Sequence, residues 1–300
     1  MTDQLVIARQ EHTTGVLELN RPRALNSLTS DMVRIIDQHL AEWATDPQIT
    51  QVLIYSNSPK AFCAGGDVRL AREYLLAGTP ELADEFFAAE YVMNGNIAHF
   101  PKPYIALIDG IAMGGGLGLT VNADRRIVDS STLMAMPETK IGFFPDAGVM
   151  YWLARAGALG THMALTSGGD ALRINLADES SDGDLPAPLS EAAWIQECYT
   201  GDDPVEIARR LEEHPDPAAQ QAGRELRARS PFAVHVALRA LRRAATLDLN
   251  GVLHQDLRLA EHMIPVDFVE GVRALLIDKD NQPAWRYATL EDVPTRVVDE

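Results

Sequence analysis

The sequence predicts an α/β fold that ends in a helical region. Through about residue 165, short apolar runs alternate with glycine-rich turns and with helical patterns, which is typical of an α/β core. Beyond about residue 200, apolar residues recur at helical spacing, and Pro stands near the start of several segments. We therefore expect a core domain over residues 1–200 and a helical C-terminal region over residues 201–300.

The first elements follow from local patterns. Leu5 to Arg9 and Val16 to Leu19 alternate between apolar and polar residues around a turn, which predicts a hairpin. Thr29 or Ser30 can cap the helix that follows. A strand is predicted next, over Gln51 to Ser56. The apolar residues at helical spacing in the first helix are Met32, Ile35, Ile36, Leu40 and Trp43.

The later elements repeat this alternation of strand, turn and helix. Two helical stretches, 68–77 and 81–99, end before the Pro101-Lys102-Pro103 break. Further strands are predicted over Tyr104–Ile108, 125–129 and 133–136, with a glycine-rich turn over 110–116 and a helix after Asp146. A polar stretch, 178–190, predicts a loop before the C-terminal helices. Those helices are predicted over Pro204–Glu213, Pro217–Ala228, Pro231–Thr246 and Val252–Met263.

The charge and cysteine content exclude several classes of protein. A formal net charge of −17 and a pI near 4.8 argue against binding to nucleic acid or to an anionic membrane by bulk electrostatics. Cys63 and Cys198 lack metal-ligand spacing, so we expect neither a disulfide framework nor a metal site. The N-terminus shows no secretory or transit pattern, which predicts a cytoplasmic protein. The oligomeric state is left open, and a homo-oligomer is compatible with the sequence.

Two glycine turns each follow a strand and precede a helix. The turn at Met113 to Gly118 has the spacing of neither a Walker loop nor a dinucleotide fingerprint. Its backbone N–H groups, at the start of a helix, suit a developing oxyanion. The turn at Ala61 to Asp67 can supply a second N–H, and two such donors make a thioester oxyanion hole. On the glycines alone, tight turns and close packing explain the pattern equally well.

The ordered motifs around these turns resemble the signatures of the crotonase (enoyl-CoA hydratase/isomerase) superfamily. The resemblance implies a crotonase-like spiral of β-β-α turns and an acyl-CoA ligand. It also implies oxyanion-hole donors at Gly66 and Gly115, and substrate contacts near Arg23, Ala24, Leu25 and Ala64. The motifs are Asn20-Arg21-Pro22-Arg23-Ala24-Leu25-Asn26, Ala61 to Asp67, Lys102-Pro103-Tyr104 through Gly114-Gly115-Gly116, and Met136-Pro137-Glu138-Thr139.

Within this superfamily the chain resembles the 3-hydroxyisobutyryl-CoA hydrolases more than the hydratases. Hydratases work with two glutamates, and Gly118 stands at the position of the first. Met136 to Asp146 is similar to the hydrolases, whose active-site pair corresponds to Glu138 and Asp146. Glu90 matches a further acidic residue of that branch, and residues 270–285 are also similar to it. Between about residues 166 and 230 the chain is shorter than these hydrolases, and the turn near Asn175 departs from their pattern.

The resemblance therefore predicts hydrolysis of a short 3-hydroxyacyl-CoA, with a place in valine catabolism. Glu138 is the expected carboxylate that attacks the thioester or activates water, and Asp146 is expected to orient the 3-hydroxyl. An isolated carboxylate is more often a solvated surface residue, and for Glu90 that interpretation stays open. No cofactor is expected, since coenzyme A is part of the substrate. The alternatives are an enoyl-CoA hydratase or isomerase and a non-catalytic acyl-CoA-binding module.

Overall fold

A computed structural model describes residues 4–166, 176–183 and 192–294 of the chain. Its strands are β1 (Val6–Glu11), β2 (Thr14–Leu19), β3 (Gln51–Ser56), β4 (Ala61–Cys63), β5 (Tyr104–Ile108), β6 (Ile111–Met113), β7 (Arg125–Val128), β8 (Leu133–Ala135) and β9 (Glu179–Ser180). Its helices are α1 (Ser30–Thr45), α2 (Val68–Ala77), α3 (Pro80–Ala98), α4 (Gly115–Gly118), α5 (Val149–Leu153), α6 (Gly157–Thr166), α7 (Ala193–Cys198), α8 (Pro204–Glu213), α9 (Pro217–Arg227), α10 (Pro231–Ala244), α11 (Leu249–Met263) and α12 (Val269–Val272). Short 3-10 helices cover Pro22–Ala24, Glu138–Ile141, Ala154–Ala156 and Leu290–Asp292, and π-helical turns flank α12 at Ile264–Phe268 and Arg273–Ile277.

The contacts divide the chain into two compact units. The described residues of unit 1 are 4–67, 85–135 and 176–183, and those of unit 2 are 68–84, 136–166 and 192–294. The domain boundary expected at residue 200 is not tested by this division and stays a prediction. The predicted loop over 178–190 and the turn near Asn175 lie partly outside the described residues.

Unit 1 contains two sheets, and from β3 onward successive strands of the chain belong alternately to the larger and the smaller sheet. The larger sheet has the order β1-β2-β3-β5-β7-β9 and is parallel except for the β1–β2 hairpin. The smaller sheet is parallel, with the order β4-β6-β8. Each of β3, β5 and β7 is followed directly by a strand of the smaller sheet, so the chain forms successive β-β turns that lead into helical segments. The predicted α/β fold and its β-β-α turns are confirmed.

Local chemistry explains the elements of unit 1. Thr29 caps α1 through its Oγ1, which accepts a hydrogen bond from the Met32 N–H at 3.3 Å. The buried face of α1 ends at Trp43, whose ring occupies the space beside Gly15 of β2. A Cβ at Gly15 would lie 2.5 Å from that ring, so the glycine is required for close packing. The sequence prediction missed β4 and β6, because three-residue strands beside glycine turns carry little periodicity.

Unit 2 is helical, and α10 lies at its centre. Ser230 caps α10 with its Oγ, and Pro231 occupies the first turn, where a missing N–H costs nothing. Ten of the residues of α10 are buried, and α10 contacts α5, α6, α8 and α11. Residues 192–294 contain helices and no strand, as the periodicity predicts. Within the described ranges, no helix combines the length and the apolar character needed to cross a bilayer.

Candidate active site

The first glycine turn of unit 1 is held by the loop over residues 21–28. The Ala64 N–H donates to the Leu25 carbonyl at 3.0 Å, and the Asp67 N–H donates to the Leu28 carbonyl at 2.8 Å. The Leu28 N–H in turn donates to the Gly65 carbonyl at 2.8 Å. These bonds fix the backbone on both sides of Gly66.

The second glycine turn packs directly against the first. Gly114 has a φ of 49° and starts α4, and its carbonyl accepts from the Leu117 N–H at 2.8 Å. A Cβ at Gly65 would lie 3.6 Å from the Gly115 nitrogen, and one at Gly116 would overlap the Cys63 carbonyl. Small residues are thus needed where the two backbones meet. The structure therefore brings the predicted oxyanion-hole residues of the two turns into one place.

Glu90 lies beside both turns. Its side chain projects from α3 and is 1% exposed. A Cβ at Gly115 would overlap its Oε1, and a Cβ at Gly66 would lie 3.8 Å from its Oε2. The open interpretation of Glu90 as a solvated surface carboxylate is wrong, because α3 buries this face against the glycine turns.

The predicted coenzyme A contacts belong to the 21–28 loop. Leu25 and Asn26 both adopt left-handed conformations, with φ values of 52° and 54°. Asn26 stabilises this backbone from within, since its buried side-chain amide donates to Ser56 Oγ at 2.7 Å and to the Phe62 carbonyl at 3.1 Å. Arg23 is exposed, and Ala24 is half-buried. Because the Leu25 carbonyl accepts the hydrogen bond from the Ala64 N–H, this loop lies beside the first glycine turn.

Glu138 belongs to unit 2 and begins a short 3-10 helix. It is 7% exposed. The helix is held from α6 and α10, because Thr139 Oγ1 donates to the Leu165 carbonyl at 3.2 Å and the Ser230 N–H donates to the Thr139 carbonyl at 3.1 Å. Gly142, with a φ of 71°, ends the helix. The position of this carboxylate is therefore set by helices distant in sequence.

A buried guanidinium accompanies Glu138 in unit 2. The Arg229 side chain is 2% exposed and donates to the Thr166 carbonyl at 2.7 Å. Burial lowers the pKa of Arg229 to about 10, and the carboxylates of Glu225 and Glu138 act in the opposite direction. The guanidinium of Arg229 and the carboxylate of Glu138 therefore attract each other. Sequence reasoning missed Arg229, because nothing in the local pattern distinguishes it from a solvated arginine.

Asp146 lies eight residues after Glu138, also in unit 2, and is 4% exposed. Its carbonyl accepts from the Val149 N–H at 3.0 Å, which closes a turn before α5. Both predicted carboxylates are thus buried polar residues. A buried carboxylate in a protein needs a functional or structural reason, since burial without compensation is costly.

The sequence and the fold were compared with known proteins. A family profile described as enoyl-CoA hydratase/isomerase matches residues 14–185 and 170–300. The chain belongs to the enoyl-CoA hydratase/isomerase family. The crotonase resemblance that the motifs predicted is confirmed. Membership also places the chain in a family of enzymes.

Relatives of this family member are named as hydrolases. The chain is 36% identical to the mitochondrial 3-hydroxyisobutyryl-CoA hydrolase of Rattus norvegicus, over 96% of this chain and 86% of the relative. It is 35% identical to the Homo sapiens protein of the same name, with the same coverage. The predicted relation to this branch of the family is confirmed.

Solved structures similar to this family member carry other names. A carnitinyl-CoA dehydratase from Mycobacterium thermoresistibile matches with a TM-score of 0.94 and 38% identity, over 99% of this chain and 96% of that chain. An enoyl-CoA hydratase from Rhodobacter sphaeroides 2.4.1 matches with a TM-score of 0.92 and 35% identity, over 98% of this chain and 96% of that chain. The fold is therefore shared, whereas the names of the similar proteins divide between hydrolysis on one side and dehydration or hydration on the other.

Burial makes Cys63 a poor nucleophile. Cys63 is fully buried, and burial raises the pKa of its thiol to about 12, so it is not a thiolate near neutral pH. Among the residues that the structure describes, no group of three His, Cys, Asp or Glu side chains is placed to hold a metal ion. Cys63 therefore serves as a small, buried side chain of the core.

Proposed function

We propose that this enzyme hydrolyses a short 3-hydroxyacyl-CoA thioester, with 3-hydroxyisobutyryl-CoA as its preferred substrate. Water adds to the thioester carbonyl carbon, the carbon–sulfur bond breaks, and the products are the free hydroxy acid and coenzyme A. The reaction needs no cofactor beyond the coenzyme A of the substrate. A place in valine catabolism and a cytoplasmic location are parts of this proposal, although the relatives named above are mitochondrial.

The observation that carries the proposal is Gly118. A hydratase needs two carboxylates to position water and to move its protons across a double bond. Gly118 is the last residue of α4 and has no side chain to offer at the first of those positions. Thioester hydrolysis requires only one reacting carboxylate and a polarised carbonyl. The hydrolase names of the relatives support the same choice.

In the proposed reaction, the main-chain N–H groups of Gly66 and Gly115 hold the thioester oxygen. Donors fixed before the reaction stabilise the negative charge that develops there, since they need no reorganisation. The hydrogen bonds of the neighbouring Ala64 and Asp67 amides keep the first donor in place. Glu90, beside both turns, contacts the bound acyl group. Arg23, Ala24, Leu25 and Ala64 contact the coenzyme A portion.

The carboxylates of unit 2 supply the remaining roles. Glu138 attacks the carbonyl carbon or removes a proton from the attacking water, and the buried guanidinium of Arg229 interacts favourably with its carboxylate. Asp146 accepts a hydrogen bond from the 3-hydroxyl of the substrate. An acyl group without this hydroxyl would leave the buried carboxylate without that hydrogen bond, so its reaction is disfavoured.

A thiol-release assay over matched thioesters tests this function. The substrates are 3-hydroxyisobutyryl-CoA, isobutyryl-CoA, which differs by the hydroxyl alone, and crotonyl-CoA. We expect rapid release of free coenzyme A from the hydroxylated substrate and slower release from isobutyryl-CoA. Release at the background rate, together with hydration of crotonyl-CoA, would reject the proposal.

Enoyl-CoA hydration or isomerisation is the second candidate. The names of the two similar solved structures favour it. A single glutamate is enough to transfer a proton in a double-bond shift. Conversion of a 3-enoyl-CoA to its 2-enoyl isomer, without thiol release, would identify an isomerase. Tight acyl-CoA binding with turnover of none of these thioesters would instead indicate a binding module.

A further inference from the structure

A buried carboxyl on α11 contacts the turn that carries Asp146. Asp256 is 0% exposed, and its Oδ2 accepts a hydrogen bond from the Gly148 N–H at 2.9 Å. Its Oδ1 is also buried, with no hydrogen-bond partner among the described residues. A buried carboxyl with one backbone partner lowers stability relative to an apolar residue, so its presence on a packed helix needs an explanation.

The turn itself needs support from outside. The bond from the Val149 N–H to the Asp146 carbonyl encloses Ala147 and Gly148, whose φ values of 56° and 77° give the geometry of a type I′ turn. Glycine accepts a left-handed conformation readily, whereas alanine adopts it at a cost. Ala147 is nevertheless fully buried in it. The turn is therefore strained, and contacts with its neighbours must hold it.

Helix α11 provides those contacts. Asp256 binds the amide of Gly148, and a Cβ at Gly148 would lie 3.1 Å from Leu253 and 3.2 Å from Leu249. All three α11 residues thus lie against the same glycine. Their contact fixes the backbone two residues beyond Asp146, which limits where the Asp146 carboxylate can lie.

The raised pKa of Asp256 suits a side chain that supports the turn without carrying a charge. Burial raises its pKa well above the usual value, and the negative charge of Asp146 raises it further. The raised pKa favours the protonated carboxyl, which adds no second negative charge beside Asp146. An asparagine has the same shape, and its carbonyl can accept the same hydrogen bond.

We propose that Asp256 is a positioning residue that holds the Asp146 turn through the Gly148 amide and thereby sets the preference for hydroxylated acyl groups. The selectivity part of this inference rests on the proposed function. The positioning part concerns the turn alone. The two parts have separate measurements, so their failures can be told apart.

The test compares Asp256→Leu, which removes the acceptor, with Asp256→Asn, which keeps it. Gln255→Leu is the matched control, because this buried neighbour on α11 donates to the Ala240 carbonyl at 3.2 Å and does not bind the turn. One measurement is the ratio of kcat/KM for 3-hydroxyisobutyryl-CoA to that for isobutyryl-CoA. The other is the hydrogen-exchange rate of the Gly148 amide, which needs no substrate.

We expect Asp256→Leu to lower the selectivity ratio about tenfold and to speed Gly148 exchange about tenfold, as the loss of one buried hydrogen bond predicts. Asp256→Asn should keep both values close to those of the wild type, and Gln255→Leu should keep the ratio. Should Asp256→Leu not fold, Asp256→Ser, whose side chain is too short to reach the amide, replaces it. Adding Ala147→Gly, which relieves the strain, should restore part of the ratio.

Unchanged Gly148 exchange in the variants that lack the acceptor would overturn the positioning role, whatever the activity. Faster exchange with an unchanged ratio would overturn the link to selectivity. An equal fall of the ratio in Gln255→Leu would show a general effect of α11 and would also overturn it. If the wild-type protein releases no thiol, the proposed function and the selectivity link fail together, while Gly148 exchange still decides the positioning role.

Discussion

The two units contain different kinds of candidate functional group. In unit 1 the candidate groups are main-chain amides, and their positions depend on glycines that leave no room for a Cβ. In unit 2 they are the side chains of Glu138 and Asp146, which lie on a short helix and a strained turn. The Ser230 N–H donates a hydrogen bond to the short helix, and the Asp256 carboxyl accepts one from the turn. Backbone groups are therefore placed by close packing, whereas side chains are placed by support from distant helices.

This difference determines which changes each unit can tolerate. A methyl group added in unit 1 displaces the neighbours of the glycine turn, while a charge change elsewhere leaves the amides in position. In unit 2, removal of one carboxyl or one supporting hydrogen bond is enough to change the site. The two units should consequently respond to different classes of substitution.

The largest effect on activity in unit 1 is expected from Gly115→Ala. The new Cβ would overlap Glu90 Oε1, and the buried Glu90 has little room to withdraw. We expect kcat/KM for thiol release to fall by about 10²–10³, as for loss of one oxyanion-hole donor. The matched control is Gly183→Ala in the same unit, whose Cβ would meet no atom within 4 Å. Wild-type activity in Gly115→Ala would show that the glycine turns of unit 1 tolerate an added methyl group, contrary to the difference between the units described above.

A pH effect on stability is expected from unit 2. Burial lowers the pKa of His162 to about 4, so the imidazole is neutral in the folded protein but takes up a proton on unfolding in mild acid. Stability from this residue is complete above its unfolded pKa and is lost as the pH falls toward the folded one. From about pH 7 to about pH 5, the free energy of unfolding should fall by about 2 kcal/mol more in the wild type than in His162→Phe.

The substitution keeps the ring contacts with Trp194 and Tyr199, whose centroids lie 5.3 and 5.0 Å from that of His162. Thr166 Oγ1 loses its contact with the imidazole but still donates to the backbone carbonyl of residue 162. Chemical denaturation at each pH measures the difference. Parallel pH profiles for the two proteins would show that His162 does not titrate on unfolding.

A smaller, selective effect is expected from Asp146→Asn. Asparagine has the size of aspartate, but its neutral amide oxygen is a weaker acceptor than a charged carboxylate. We expect kcat/KM for 3-hydroxyisobutyryl-CoA to fall about tenfold more than that for isobutyryl-CoA. Equal losses of kcat/KM for the two substrates would mean that Asp146 does not recognise the 3-hydroxyl. The assignment of selectivity to unit 2 would then be wrong.

The sequence predicts much of this molecule because its signals are local. The caps at Thr29 and Ser230, the strand over 51–56 and the C-terminal helices follow from residues within one or two turns of each other. The glycine turns and the Met-Pro-Glu-Thr motif likewise stand in short, recognisable segments. Glu90 could be placed at the glycine turns only by resemblance, since its helix shows no special pattern.

The supports of the site could not be predicted, because they act across long sequence distances. Gly148 and Asp256 are 108 residues apart, and Arg229 lies 63 residues beyond the carbonyl to which it donates. Nothing around Asp256 distinguishes it from a solvated residue of an amphipathic helix. Similarly, β4 and β6 are strands only because neighbouring strands supply their hydrogen bonds.

Thiol release by Glu138→Gln, measured beside acyl-CoA binding, tests the central claim most directly. The claim is that this carboxylate carries out the hydrolysis while other residues hold the substrate. We expect kcat for 3-hydroxyisobutyryl-CoA to fall by about 10³, within the range for loss of a general base, with the dissociation constant nearly unchanged. Turnover in the variant within a few-fold of the wild type would contradict the account.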